Sequence, residues 1–367
     1  MLCKTLAFVA LVHTISAAVS EAPVDFSDHK IVKIYPKYDT DLQQLHRLQR
    51  IFSSNVDFFA DPTPDMSPFT ALVGPDGRFL QALNASDISY EVVVNSFQSV
   101  IDREREANTR PSSQVGFDYD NKYNTYEDIT TELKRIGSAG IHAREWVAVA
   151  ACLWVTNQLV TTTTYDNLLD KYEFIIVPTL NPDGYVYTHT VNRKWRKTRS
   201  KSGLCFGADP NRNWDAAFCE TGASTDPCDD KYCGKSAFSE PETKAMSELI
   251  ATKASNTAGY FSIHCFGQLF MYPWGHKAGN PPNYAQLDKL AHLGVDAIKA
   301  TNNVTYTPGG ISKTIFYDKL KIQMAFAIEL RPDRSHPDGF ILDPKFIKPV
   351  STEAWNGLRA VIENLDK

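Results

Sequence analysis

The chain lacks most of the features that assign a protein to a class at a glance. Beyond its N-terminus no apolar run approaches the ~18 residues that cross a bilayer, so the mature protein is expected to be soluble, with no membrane partner. No Lys/Arg run marks a nucleic-acid or anionic-lipid surface, and a net charge of -5 is mild for 367 residues. Internal repeats and low-complexity tracts are absent, which excludes solenoids and compositional tails. No H-E-x-x-H occurs, which argues against a zinc endopeptidase helix. Nor is there a C-x-x-C pair, so the cysteines do not read as a structural zinc cluster.

What is present begins with a leader. Lys4 precedes the apolar run Leu6 to Val12, and the stretch ends in the small residues Ser16-Ala17-Ala18. That pattern is a secretory signal peptide over residues 1–18, and it places the protein outside the cell. Cys3 leaves with it, and Cys152, Cys205, Cys219, Cys228, Cys233 and Cys265 remain. Four of them crowd a Gly-, Asp- and Ser-containing loop between 205 and 233, which in an oxidising compartment reads as disulfides. Asn84-Ala85-Ser86 and Asn303-Val304-Thr305 are possible glycosylation sequons.

The length favours two domains, and 43% hydrophobic with 11% aromatic residues supports a large core. Residues 30–105 read as a small α+β domain. Ile31 to Tyr35 alternate as a strand, and Leu42, Leu45, Leu48, Ile51 and Phe52 mark a helix face. Val56 to Phe59 is a strand. Phe69 to Val73 and Phe79 to Leu83 flank Gly74-Pro75-Asp76-Gly77 as a hairpin, and a helix is expected from Tyr90 to Arg105. Residues 106–120 read as a linker. Arg103, Arg105 and Arg110 near its start make the first domain a candidate removable pro-segment, cut by a trypsin-like protease, rather than a permanent domain.

The remainder alternates strands and helices, an α/β pattern. Glu145 to Val160 is a buried helix, and Phe174 to Val177 a strand entering a turn at Asn181-Pro182-Asp183-Gly184. Ser239-Glu240-Pro241-Glu242 is a capping box opening a helix to about Ala254. Tyr260 to His264 and Ile322 to Leu330 are strands; Tyr284 to Thr301 and Pro349 to Asn364 are helices.

The chemistry gathers at strand ends and turns. His142 and Glu145 form the one H-x-x-E among nine histidines, two metal ligands on one turn. His264 is expected at the end of its strand, where a histidine is more often structural than ligating. Glu329 is expected to end an apolar strand, and an unpaired buried carboxylate there is costly, so it should face a partner. Arg193, Arg196 and Arg199, then Asn211-Arg212, offer either a solvated basic face or a carboxylate receptor.

Taken in order, five motifs resemble the secreted zinc metallocarboxypeptidases of the pancreatic A/B type, including insect digestive members. They are His142-Ala143-Arg144-Glu145-Trp146, Asn181-Pro182-Asp183-Gly184-Tyr185, residues 192–199, Asn211-Arg212-Asn213-Trp214 and Glu329-Leu330-Arg331. The resemblance implies a mixed-sheet α/β/α carboxypeptidase sandwich over 111–367, preceded by a small α+β activation pro-segment over 19–110. It implies one Zn2+ per chain on His142, Glu145 and His264, Glu329 as the general base and Arg196 as the oxyanion group. Asn211, Arg212 and Arg144 are implied to bind substrate, with Phe316 or Tyr317 in place of the family's mobile tyrosine. The implied substrates are peptides or proteins with a free C-terminus, and the implied state is a monomer. Cys205–Cys228 and Cys219–Cys233 resemble family disulfides, while Cys152 faces Ala139 in the pairing pattern and Cys265 is left over.

This sequence departs from the family twice. Only Gly137 to Ile141 separates the helix around Tyr126–Ile136 from His142, where the family has strands, including the central one that delivers H-x-x-E. The Gly/Ser-rich loop between Phe316 and Tyr317 is also missing. The sheet is therefore expected to be truncated, and an inactive variant that only binds peptide C-termini stands as the alternative. Gly275 and Ile311 lean towards an A-like preference for apolar C-terminal residues.

Overall fold

The computed structural model describes residues 21–109, 117–133, 140–220, 222–273, 279–310, 322–337 and 339–365. The chain divides into two units, Ala22–Arg110 with Pro332–Asp343, and the remainder.

In the smaller unit, alternation in β1 (Lys30–Tyr35) buries Val32 and Ile34, a register shift after Ile31 leaves that residue buried too, and α1 (Asp39–Ile51) turns Leu45 and Leu48 inward. There follow β2 (Val56–Phe58), β3 (Phe69–Val73), α2 (Arg78–Ala85), β4 (Ser89–Val94) and α3 (Phe97–Asn108). The sheet order is β2-β3-β1-β4 and every pairing is antiparallel. Val32, Ile34, Phe58 and Phe69 of the strands share one core with Leu45, Leu48, Phe79 and Leu83 of the helices.

Two expectations fail here. Phe79 to Leu83 is not the second arm of a hairpin but the buried face of α2, because the two residues are one helical turn apart. Gly77, at φ 65°, turns the chain into that helix. Tyr90 to Val94 is a strand rather than the start of a helix. Its β-branched valines pair with β1, and the helix begins only at Phe97.

The larger unit contains α4 (Tyr126–Leu133), α5 (Trp146–Thr161), α6 (Asp166–Lys171), α7 (Pro182–Thr190) and the short hairpin β5 (Lys201–Ser202) and β6 (Cys205–Phe206). After these come α8 (Pro241–Lys253), β7 (Tyr260–Gly267), β8 (Leu269–Tyr272), α9 (Tyr284–Asn302), β9 (Thr307–Gly310), β10 (Ala325–Asp333) and α10 (Ile347–Ile362). The sheet runs β7-β10-β8-β9, with β10 and β8 antiparallel and β8 and β9 parallel. Helix α5 is apolar all round and buried on nearly every side, as a helix packed between neighbours must be. It meets β7 and α10, and α10 meets α9. The disulfides Cys205–Cys228 and Cys219–Cys233 form, and Cys152 and Cys265 are free and buried. No helix among the described residues is long and apolar enough to cross a membrane.

Here too the structure corrects the reading. Phe174 to Val177 is half-buried and forms no strand. A short apolar run needs neighbouring strands to ladder with, and no described residue between α4 and α5 is in one. Asn181-Pro182-Asp183-Gly184 is the start of α7 rather than a turn. Asn181 caps it by accepting from the Gly184 amide at 3.0 Å, with Pro182 in the first turn. Helix α8 starts at Pro241 as expected, but no capping box forms; Ser239 instead donates to its neighbour Glu240. His264 lies within β7 and Glu329 within β10, so neither ends its strand.

Candidate metal centre

The H-x-x-E residues sit on an irregular turn that runs into α5. Glu145 is the N-cap residue of that helix, with φ -90° and ψ 62°, and Trp146 is its first residue. Gly140 opens the turn at φ 83°; a Cβ there would stand 2.6 Å from Val149 Cγ2 and 2.8 Å from the Pro178 carbonyl. The turn is held by bonds to other segments: Asn181 N–H donates to Gly140 O at 3.1 Å, and Ala143 N–H to Arg196 O at 3.3 Å. The other candidate ligand, His264, is fixed by the sheet.

These carriers bring three donor groups together. His142 Nδ1 lies 2.6 Å from Glu145 Oε1, and His264 Nδ1 lies 3.1 Å from Glu145 Oε2 and 3.3 Å from His142 Nδ1. All three residues are buried, and their donor atoms fall within 4.8 Å of one another. His142 Nδ1 and His264 Nδ1, 3.3 Å apart and both against the Glu145 carboxylate, can share either a proton or a cation. That separation is also about the edge of a tetrahedron drawn with ~2.0–2.1 Å bonds to zinc. Two histidines and one glutamate are a known donor set for catalytic zinc, so the residues fit the ion.

The far side of each ring explains why Nδ1 faces inward. His264 Nε2 is 2.9 Å from Ser262 Oγ, and His142 Nε2 is 3.3 Å from Asp209 Oδ1, off the line of a straight hydrogen bond. A carboxylate or hydroxyl behind a ligating imidazole holds its proton on the outer nitrogen and orients the ring. Asp209 was not foreseen. It is fully buried, and its second oxygen accepts from Arg196 Nε and Nη2 at 3.0 and 2.9 Å. One carboxylate thus braces both a candidate ligand and the candidate oxyanion arginine. Its only sequence signal was an acid two places before Asn211, which composition cannot distinguish from a loop residue.

The charges fit this arrangement. Burial alone would raise the Glu145 pKa, but His142 and His264 hold it well below the usual carboxylate range. Burial alone would lower the His264 pKa; Glu145, and then Glu329, raise it. Asp209 is held far down, against burial, by Arg196, Arg212 and His142. Arg196 stays cationic although mostly withdrawn from water, because Asp209 and then Glu145 outweigh its desolvation.

The remaining candidates are only partly gathered. Glu329 is half-buried on the strand next to β7, and its charge is felt at His264 and Cys265. Asn211 donates its backbone N–H to Asp209 at 2.9 Å. The Arg212 guanidinium is held by the Gly222 and Asn211 carbonyls. Arg144 is buried, with Nη1 3.3 Å from Lys194 O and 3.5 Å from Asp230. Phe316, Tyr317, Gly275 and Ile311 lie outside the described residues.

Comparisons with known proteins agree with this geometry. The zinc carboxypeptidase family profile matches residues 107–357, and that of the carboxypeptidase activation peptide matches 32–104. Carboxypeptidase A2 of Rattus norvegicus is 32% identical over 400 aligned residues, covering 93% of this chain and 94% of that protein. Zinc carboxypeptidase A 1 of Drosophila melanogaster is 42% identical over 236 residues, 61% of this chain and 55% of that protein. The 400-residue alignment is longer than the 367-residue chain, so the rat protein carries segments that this one lacks. Among solved structures, carboxypeptidase A from Helicoverpa armigera matches with a TM-score of 0.81 at 24% identity, covering 93% of this chain and 99% of that one. Thrombin activatable fibrinolysis inhibitor matches with 0.79, also at 24%. At that identity the likeness is one of fold.

Proposed function

The chain belongs to the zinc carboxypeptidase family and carries its activation peptide, and from that premise we propose how its residues divide the work. It is a zymogen of a zinc-dependent carboxypeptidase acting on peptides. His142, Glu145 and His264 hold the zinc, which when bound supplies Lewis acidity and acidifies water. Glu329 is the general base, moving a proton from the attacking water to the leaving amine. Arg196 faces the negative charge that develops on the scissile carbonyl, and Asp209 keeps its guanidinium aimed there. Asn211 and Arg212 receive the terminal carboxylate, which limits attack to the last peptide bond, and Arg144 positions the chain beside them. Phe316 or Tyr317 closes the site over the substrate.

On this reading residues 1–18 are a signal peptide, 19–110 the activation segment and 111–367 the catalytic domain of a secreted, monomeric digestive enzyme. Release of the segment falls to a trypsin-like protease cutting at Arg103 or Arg105, since Pro111 shields Arg110. The observation that carries the proposal is the convergence of three buried donor atoms beside Arg196. The test is hydrolysis of a blocked dipeptide by the activated chain. Glu329→Gln should cut kcat by at least ~100-fold while zinc content stays unchanged; full activity in that variant would remove Glu329 from its role.

A further inference from the structure

The turn bearing His142 and Glu145 belongs to no strand, so something other than a sheet ladder must fix it. We infer that Arg193 is the residue that positions Glu145 for the metal, by gripping the residues on both sides of it. The inference rests on the zinc reading above.

Three observations carry it. The Arg193 guanidinium donates through Nη1 to the Arg144 carbonyl at 2.8 Å, and it lies 3.7 Å over the Trp146 ring. The Arg144 carbonyl belongs to the peptide group that leads into Glu145, and Trp146 is the first residue of α5 after it. Fixing that peptide plane and that side chain leaves Glu145 little freedom to swing. This matters because the cap residue has non-helical backbone angles that no ladder enforces. Arg193 is itself only 4% exposed. A guanidinium taken that far out of water is retained only where hydrogen-bond acceptors and a π face compensate its desolvation.

Trp146 is locked in turn. Its indole N–H donates to Thr188 Oγ1 at 2.8 Å, and His189 stacks on it at 3.9 Å and 8°. Burial, reinforced by the Arg193 charge, pushes the His189 pKa down to about 3, so the stack contains a single cation. Segment 188–196 therefore does for the turn what neighbouring strands do for His264. In this inference Arg193 is a positioning residue that acts through Glu145.

The experiment compares the full-length chain with Arg193→Ala and Arg193→Lys, measuring zinc affinity by chelator competition and the visible spectrum of the cobalt-substituted protein. Removing a group that orients a ligand costs about 10–100-fold in metal affinity. Arg193→Ala should fall in that range, with a shifted cobalt band. Arg193→Lys keeps a donor for the carbonyl but no flat face for Trp146, so it should lose several-fold. It also answers the question if the alanine variant does not accumulate. Unchanged affinity and an unchanged cobalt spectrum in the variants, with a metal-binding wild type, would overturn this inference alone. A folded wild type that takes up no metal would overturn the zinc reading and this inference with it.

Discussion

Two supports hold the proposed metal centre, and they differ in kind. His264 stands within β7 of a sheet, its neighbours set by backbone hydrogen bonding. His142 and Glu145 stand on a turn secured by one glycine, a few backbone bonds and the Arg193–Trp146–His189 stack. A strand tolerates side-chain changes because its ladder is made by the backbone, which every residue but proline can join. A turn held by particular side chains does not. The half of the site without a sheet should therefore be the half that mutation, pH and chelation disturb first.

The largest expected effect concerns stability. Glu242, in the first turn of α8, is buried with Oε2 unpartnered, and its pKa is raised to about 7. The main cause is burial, partly offset by its own backbone N–H and then reinforced by the Glu240 and Asp183 charges. In the unfolded chain this carboxyl loses its proton near 4.5, in the folded protein near 7. Between those values the folded state binds more protons, so this group makes stability fall as pH rises, by about 3 kcal/mol at most. Glu242→Gln should remove that slope and stabilise the protein at pH 8. Urea melts at pH 5 and 8 measure it, and an unchanged slope would show that Glu242 titrates normally.

Next comes the pair of groups behind the two imidazoles. Asp209→Asn, on the turn side, should weaken zinc binding about 10–100-fold, and should also lower kcat by freeing Arg196. Ser262→Ala, its counterpart behind His264, removes a neutral partner from a ring the sheet already holds and should cost less than about 10-fold. Equal losses in the two variants, read by chelator competition, would erase the distinction between turn and strand.

A smaller effect is expected at Gly140. Alanine there must accept φ 83° and push Val149 aside, a cost of about 1–3 kcal/mol in thermal or denaturant melts. The metal affinity should drop with it, because the strained turn is the one that carries the ligands. A Gly140→Ala protein of unaltered stability would mean that the turn is softer than its contacts suggest.

Much of this architecture is legible in the sequence. The alternation of Ile31 to Tyr35, the uninterrupted apolar stretch that becomes α5 and the Pro241 helix start all produce the elements they announce, because local pattern and tertiary demand agree there. Phe79 to Leu83 and Tyr90 to Val94 were misread because short apolar runs satisfy both periods, and only their neighbours decide. At Phe174 to Val177 the local propensity is for a strand, but Ile175 forms a lone bridge and no ladder extends from it among the described residues. The candidate ligands His142, Glu145 and His264 stand out in the sequence only as motifs carried by a family resemblance. Their supports do not: Asp209 and Ser262 become meaningful only when folding sets them behind a ring, 67 and 2 residues from the histidines they face. Arg193 looked like one of several surface cations until its burial was known.

The most direct measurement is the zinc content of purified, monodisperse full-length protein, beside that of His264→Ala. About one zinc per chain is expected in the wild type, with its loss in the variant, because a turn whose described residues lie in no strand still meets the β7 histidine. A folded wild type that binds no zinc, or a His264→Ala protein that holds it as tightly, would contradict the account.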